Sequence, residues 1–489
     1  MCAELMTRYP GAQPFPDNSL SRKLFFGREH ESKTLSNQIL AHRLVVVFAR
    51  SGLGKTSLLN AGVAENLRTE GYVPLSVRVN DAVEGPLKSV LGGIAAACKI
   101  QGVEYVPGDA RSLWSFFKTA QFWRSDVLQS PVLILDQFEE LFTLHAAEPR
   151  NAFIDQLSFL VRGVRPTEPE LATAGAPEAV KALSPDLDNS LPAVKIVLSL
   201  REDFLAELEE LSDRIPGVLD ERFRLVPMTR EAASLALQEP AKVEDANLAT
   251  RPFGLDSQAI DAILDFLGRR VVDTTKKSVS TVEPFQLQLI CQRLEAVATQ
   301  KQQGGKDESA KIGLADIGGE HSFRTILTDF YNEQISALPW RRRRPARRLC
   351  AEFLISPQGR RLRMEETEIG RLLNLSSDIL KSLVDRRLLR SDQTDSGTYY
   401  ELSHDSLIKP IMSSGRFSRY INVAVYGFTG IASIILSACV LILTIVSVSE
   451  DKITGAVLAV VFLPIAWMLF RWSVRKTKEA SVILKRLRI

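Results

Sequence analysis

Residues 43–63 read RLVVVFARSGLGKTSLLNAGV. The β-forming run 44–48 leads into a glycine-bearing turn, and Gly54-Lys55-Thr56 opens an apolar helical run through Leu58, Leu59, Ala61 and Val63. Strand, turn and helix in this order make a phosphate loop. Backbone N–H groups and the positive end of the helix cradle phosphate, and a lysine neutralises the outer phosphates. This assigns Gly52, Gly54, Lys55, Thr56 and Ser57 to a nucleotide, ATP or ADP, with Thr56 as a ligand of Mg2+. Ala49 stands where the motif GxxxxGK[ST] opens with glycine, which demands a negative φ there and places hydrolysis in question more than binding.

Working outward, residues 131–142 read PVLILDQFEELF. An apolar run ending in Asp136 is a buried parallel strand that delivers a carboxylate to its C-terminal end, where open α/β sheets bind ligands. Asp136 is expected to hold Mg2+, and either Glu139 or Glu140 to orient or deprotonate a water; a helix start that favours acids also accounts for the two glutamates. A further strand over 194–201 ends in Arg201, placed to sense the outer phosphate or to pair with Glu202 or Asp203. Strand signal also covers 72–79 and 223–227, and helical pattern 85–97 and 110–127. Residues 162–192, rich in Pro, Ala, Glu and Ser, read as a surface insertion.

Beyond residue 228 helical patterns take over: from Thr229 to a stop at Glu239-Pro240, then 256–267 and 284–295. Helices over 365–373 and 377–387, followed by a hairpin in 388–403, suggest a winged helix, with His404-Asp405 just after the wing. The run WRRRRPARR at 340–348 is a solvated or phosphate-neighbouring helix start; the chain's 61 basic and 58 acidic residues give no overall nucleic-acid footprint, and none is expected as a partner. Five scattered cysteines with no CxxC pair argue against a disulfide framework or a cysteine metal site.

The C-terminal part differs in kind. Residues 420–448 and 453–470 are apolar runs separated by Ser449-Glu450-Asp451-Lys452, each long enough for a hydrocarbon core of about 30 Å. Arg416 and Arg419 precede them and Arg471, Arg475, Lys476 and Lys478 follow, which predicts a transmembrane hairpin with both ends cytoplasmic. The tail 471–489 mixes Trp472, Ile483 and Leu484 with basic residues and suits an anionic lipid surface.

Taken together, Tyr-Pro-Gly-x-x-Pro-Phe at 9–15, Phe-Phe-Gly-Arg-Glu at 25–29, the phosphate loop, Leu-Asp-Gln-Phe-Glu-Glu-Leu-Phe at 135–142 and Glu-Pro-Phe-Gln-Leu-Gln-Leu-Ile-Cys at 283–291 resemble the novel STAND class of signalling ATPases, first bacterial subfamily. The resemblance covers roughly residues 8–412. It implies an α/β P-loop NTPase domain (23–228) behind an N-terminal arm (1–22), then a helical domain (229–335) and a winged-helix domain (336–412). It also implies a slow ATPase used as a switch, closed with ADP and self-associating with ATP. His404 is then the winged-helix histidine at the ADP β-phosphate, Pro240 the helical-domain proline near the adenine, and 25–29 the segment over the adenine, unless that segment is simply a capped helix start. Sensor repeats usual to the class are replaced here by the apolar hairpin, so a separate sensor or partner protein is expected, with an antiviral or stress role at the bacterial inner membrane. A membrane-tethered scaffold ATPase and an AAA-type remodeller are the competing readings. An ATP-binding-cassette transporter is excluded by the lack of a Leu-Ser-Gly-Gly signature.

Overall fold

The alternation in LVVVFA explains how the core is built. In the computed structural model, which describes residues 5–81, 84–166, 191–268, 281–303, 311–356, 358–394 and 397–413, this strand is β1 (Leu44–Ala49). Leu44 and Val46 join an apolar cluster on one face of the sheet, with Leu75, Leu133, Leu198, Trp114 and Phe116. Val45, Val47 and Ala49 join a second cluster on the other face, with Leu58, Val63, Ile134 and Val197. A sheet buried on both faces is the parallel, helix-covered kind.

The sheet is five-stranded and parallel. Its other members are β2 (Tyr72–Val77), β3 (Ser130–Asp136), β4 (Lys195–Arg201) and β5 (Arg222–Arg224), in the order β2-β3-β4-β1-β5. β4 therefore lies between the phosphate-loop strand and the strand ending in Asp136, with Ala49 level with Arg201 and Asp136 level with Ser199. The order turns three sequence-distant strand ends into neighbours.

After the loop, helix Lys55–Ser57 widens into a π-helical stretch, Leu58–Val63, and returns to α-helix at Ala64–Thr69. The helical pattern expected over 110–127 is only partly helix: Leu113–Thr119 is followed by strand Gln121–Arg124 and strand Val127–Leu128. Ser125 and Asp126, both at positive φ (48° and 64°), make the tight turn between them. Such a turn matches strand twist and selects hairpin over helix.

A helical block follows, with helices Arg230–Lys242, Ser257–Gly268, Pro284–Gln303 and Gly319–Ser336. The first runs through Pro240 instead of stopping at it. Proline there sits in the last turn, where little helix remains to be disturbed. Helix Trp340–Arg348 carries the basic run, with Trp340 73% exposed and the Arg341 guanidinium 5.1 Å from its ring centroid.

Helices Glu366–Leu373 and Ser377–Asp385 precede a three-stranded antiparallel sheet of β6 (Met364–Glu365), β7 (Leu389–Thr394) and β8 (Gly397–Leu402), in the order β6-β8-β7. Two helices followed by this sheet agree with the pattern read as a winged helix, with a third strand the sequence had not suggested. The chain divides into two compact units, residues 1–346 with 363–407, and residues 347–362 with 408–489. Described parts of the second unit comprise a π-helical stretch, Leu349–Phe353, and an antiparallel bridge between Ile355 and Arg361. Most of the expected insertion 162–192 and the whole of the apolar runs and basic tail, 420–489, lie outside the described residues. Among the described residues no helix is long and apolar enough to cross a membrane.

The N-terminal arm is an ordered part of the first unit. Arg8 is wholly buried, donating from Nη1 to the carbonyls of Pro240 (2.9 Å) and Val243 (2.5 Å), from Nε to Thr250 Oγ1 (2.8 Å) and from Nη2 to the Thr250 carbonyl (2.6 Å). Its backbone N–H donates to the buried Glu295 carboxylate at 2.8 Å. Arg8→Ala would strip these acceptors of their donor and leave Glu295 without its nearby positive charge. A loss of about 3 kcal/mol is expected, seen as a lower midpoint of thermal unfolding; an unchanged midpoint would mean the arm contributes nothing to the resting fold.

Candidate nucleotide site

Phosphate loops need backbone that only glycine adopts easily. Gly52 and Gly54 sit at φ +84° and +91°, in the left-handed region. A side chain at Gly52 would also collide, since its Cβ would lie 2.4 Å from His404 Cε1. Ala49, by contrast, is the last residue of β1, fully buried and in ordinary strand conformation, so its methyl brings no strain to the loop entrance. The Lys55 ammonium lies 3.4 Å from the Ala49 carbonyl.

Asp136 ends β3 with both carboxylate oxygens engaged. Oδ2 accepts from Thr56 Oγ1 at 2.8 Å and Oδ1 from Ser199 Oγ at 2.8 Å. The two residues expected to hold Mg2+ are thus in direct contact, and both are hard oxygen donors of the kind that binds Mg2+ alongside phosphate oxygens and water. The fit to a Mg-nucleotide is good: an N–H cradle, a lysine, and a hydroxyl–carboxylate pair at one end of the sheet. The bound nucleotide would supply the phosphoryl group. Lys55 would neutralise its outer phosphates, and Thr56 and Asp136 would fix the metal.

Glu139 and Glu140 occupy different environments. Glu139 is buried, and its Oε2 accepts from the Arg201 backbone N–H at 3.3 Å. Burial raises its pKa, opposed by the charges of Lys55 and Arg390. Burial pushes the Lys55 ammonium down, and Glu139 and Asp136 pull it back. Glu140 opens helix Glu140–Leu144, with a sealed Oε2 that meets no hydrogen-bond partner, and burial pushes its pKa up to about 8. Arg78 is the main opposing charge there. Glu139 is therefore the carboxyl whose charge is favoured by the loop lysine, while Glu140 is the one that burial biases most clearly toward its protonated form.

Arg201 shows the ion-pair reading of its sequence position. It pairs with Asp203, and its Nη1 also reaches Glu401 Oε1 of β8 at 3.3 Å. His404 lies on the loop itself: its ring abuts Gly52 and stacks on Phe285, with centroids 3.7 Å apart and planes 24° from parallel. Ser51 Oγ donates to the Ser403 carbonyl at 3.1 Å. Ser57 Oγ accepts from the Phe15 N–H of the arm at 3.1 Å, so its hydroxyl serves the arm. Pro240 is buried on the far side of the arm, its carbonyl held by Arg8. Arg28 of the Gly-Arg-Glu element is buried and donates to the Val226 carbonyl at 2.8 Å, and Glu29 Oε1 accepts from the Gly27 N–H at 2.9 Å at the start of helix Glu29–Ala41, whose N-cap residue makes no side-chain capping bond.

Sequence reasoning missed Ser199, Phe285, Glu401 and Arg8. A small hydroxyl within the otherwise apolar strand KIVLSLR was a usable signal for Ser199; Phe285 sat unremarked inside a quoted motif block. Nothing local marks Glu401 or Arg8, because their partners lie 200 and more than 230 residues away.

Two measurements follow from this geometry. Ala49→Gly should leave the hydrolysis rate unchanged and cost about 1 kcal/mol of stability by loosening a strand end; a faster rate would mean the methyl does restrain the loop. Glu140 holds its proton more tightly folded than unfolded, so its contribution is present in acid and lost as pH rises from about 4.5 to about 8. Glu140→Gln should accordingly gain in melting temperature relative to the parent between about pH 5 and about pH 9, and a difference that does not change with pH would refute the buried proton.

Comparison with known proteins places this geometry. No curated protein matches the chain. Among solved structures it is similar to the ORC2 protein of Aeropyrum pernix in its ADPNP-ADP complexes (15% identity, TM-score 0.38, 80% of this chain and 94% of that one). A Walker-type ATPase of Pyrococcus abyssi is similar at 12% identity and TM-score 0.34, over 82% of this chain and 98% of that one. Cdc6p of Pyrobaculum aerophilum is similar at 14% identity and TM-score 0.35, over 79% and 94%. The family model Novel STAND NTPase 1 matches residues 9–410, which takes in the arm, the phosphate loop, Asp136 and His404, and the chain belongs to that NTPase family.

Proposed function

We propose that the chain is a membrane-tethered nucleotide switch, closed with ADP and released by exchange for ATP. The observation that carries this reading is the seat of His404: a residue of the winged helix lies against Gly52 of the phosphate loop, stacked on Phe285 of the helical block. One ring thereby links three parts of the chain at the place where a β-phosphate would bind. A rapid-turnover ATPase has little use for a third domain resting on its loop; a device that retains product does. Loss of this contact on exchange would free the winged helix for self-association.

The apolar runs 420–448 and 453–470 supply the output in this reading. Assembly of the nucleotide-binding parts at the cytoplasmic face would cluster the hairpins, with small residues such as Gly427, Gly430, Ala432 and Ser433 allowing close helix approach. Clustered hairpins would permeabilise the bacterial inner membrane as an antiviral or stress response, triggered through a separate sensor protein. Hydrolysis by Glu139 or Glu140 with Arg201 would be slow and serve as the reset.

Purification of the full chain in detergent tests this directly. The parent protein should carry ADP, enlarge with a non-hydrolysable ATP analogue, and collapse the membrane potential on induced expression, while Lys55→Ala should lose all three. Absence of bound or bindable nucleotide would overturn the reading. Nucleotide-dependent assembly without depolarisation would favour a tethered scaffold, and brisk substrate-stimulated turnover by a ring would favour a remodeller.

A further inference from the structure

The wing contributes a carboxylate to the edge of the nucleotide site. Glu401 on β8 has a side chain only 15% exposed and lies between two arginines. Its Oε1 is 3.3 Å from Arg201 Nη1, at the end of β4, and 3.7 Å from Arg390 Nε, on the neighbouring wing strand β7. Arg201 is itself only 7% exposed, and its Nε is buried without a hydrogen-bond partner. Register places Arg201 beside Ala49 at the loop entrance, two residues past the Ser199 that holds Asp136. Arg390 is near enough for its charge to act on Lys55, Glu139 and Glu140.

We infer that Glu401 is a positioning residue for nucleotide selectivity: its carboxylate holds Arg201 and Arg390 away from the third phosphate of a nucleoside triphosphate and so favours the diphosphate. A carboxylate and a phosphate oxygen are competitors for the same guanidinium donors. With ADP, no third phosphate competes, and Arg201 stays held by Glu401 on Nη1 and by Asp203 on Nη2, with Arg390 beside Glu401. With ATP, the third phosphate and Glu401 are both anions seeking the same two arginines, and one must withdraw. The wing carries Glu401, so a triphosphate that wins also loosens the wing.

This rests on the switch reading above, and its test separates the two. Displacement of a fluorescent ADP derivative by ADP and by ATPγS, each with Mg2+, gives the ratio of the two affinities in the full-length detergent-solubilised protein. Glu401→Gln should raise the preference for ATPγS about tenfold, within the range usual for coupled sites, with ADP affinity little changed. Glu401→Asp, which keeps the charge and withdraws it by one methylene, should shift the ratio the same way by less and serves if the glutamine variant fails to fold. A parent protein that binds neither nucleotide removes both the switch and this inference. A parent that binds ADP, with variants whose ratio is unchanged, removes the inference alone.

Discussion

Everything at the nucleotide end depends on the satisfaction of one buried carboxylate. Asp136 is 3% exposed, and its two oxygens are engaged by hydroxyls that reach it from opposite sides: Thr56 from the helix after β1, Ser199 from β4. A buried acid without such partners would be costly enough to protonate or reorganise the strand ends. The strand order meets this requirement, because β4 is inserted between β1 and β3 and brings Ser199 level with Asp136. The same register brings Arg201 level with Ala49, so the arginine's place follows from the arrangement that satisfies the aspartate.

How much of this was legible in the sequence follows from the range of each interaction. β1, its loop and β3 announce themselves because burial on both faces leaves an unbroken apolar run, and the turn chemistry of Gly52 and Gly54 is local. Thr56 and Asp136 were both expected at one metal from motif roles, and their side chains do meet; His404 was expected at a β-phosphate only from the family resemblance, and its ring abuts Gly52 of the loop. The region 110–127 failed because periodicity saw apolar residues at helical spacing and gave no weight to Ser125-Asp126, neither of which is glycine, as the turn between two short strands. The arm, read as an ordered or loose entry segment, kept its contacts hidden. Its prolines exclude regular structure, and no local pattern tells that Arg8 will find four acceptor contacts in a distant helical block.

The arm also orders the three parts of the first unit around the loop. Arg8 and Tyr9 grip the helical block, the Tyr9 hydroxyl donating to the Leu237 carbonyl at 2.6 Å. Phe15 then bonds the loop helix through Ser57 and Asn60, and the Gln13 side chain donates to the Asp385 carbonyl and accepts from Arg387 Nε of the winged helix. A short proline-stiffened segment can touch three bodies with little entropy lost on ordering, because its backbone is already restricted in the unfolded chain.

These contacts are unequal in burial and in charge. Between arm and helical block they are buried and charge-assisted, the class worth most when kept and costing most when broken. Between winged helix and the rest, the Arg201–Glu401 ion pair is the shielded, charged contact, and the others are longer and more exposed: Ser51 to Ser403 at 3.1 Å, Gln13 to Asp385 at 3.3 Å, Arg387 to Gln13 at 3.2 Å. At about 1 kcal/mol each, such bonds together amount to a few kcal/mol. The arm and the helical block it grips are therefore the more firmly hydrogen-bonded pair of the first unit.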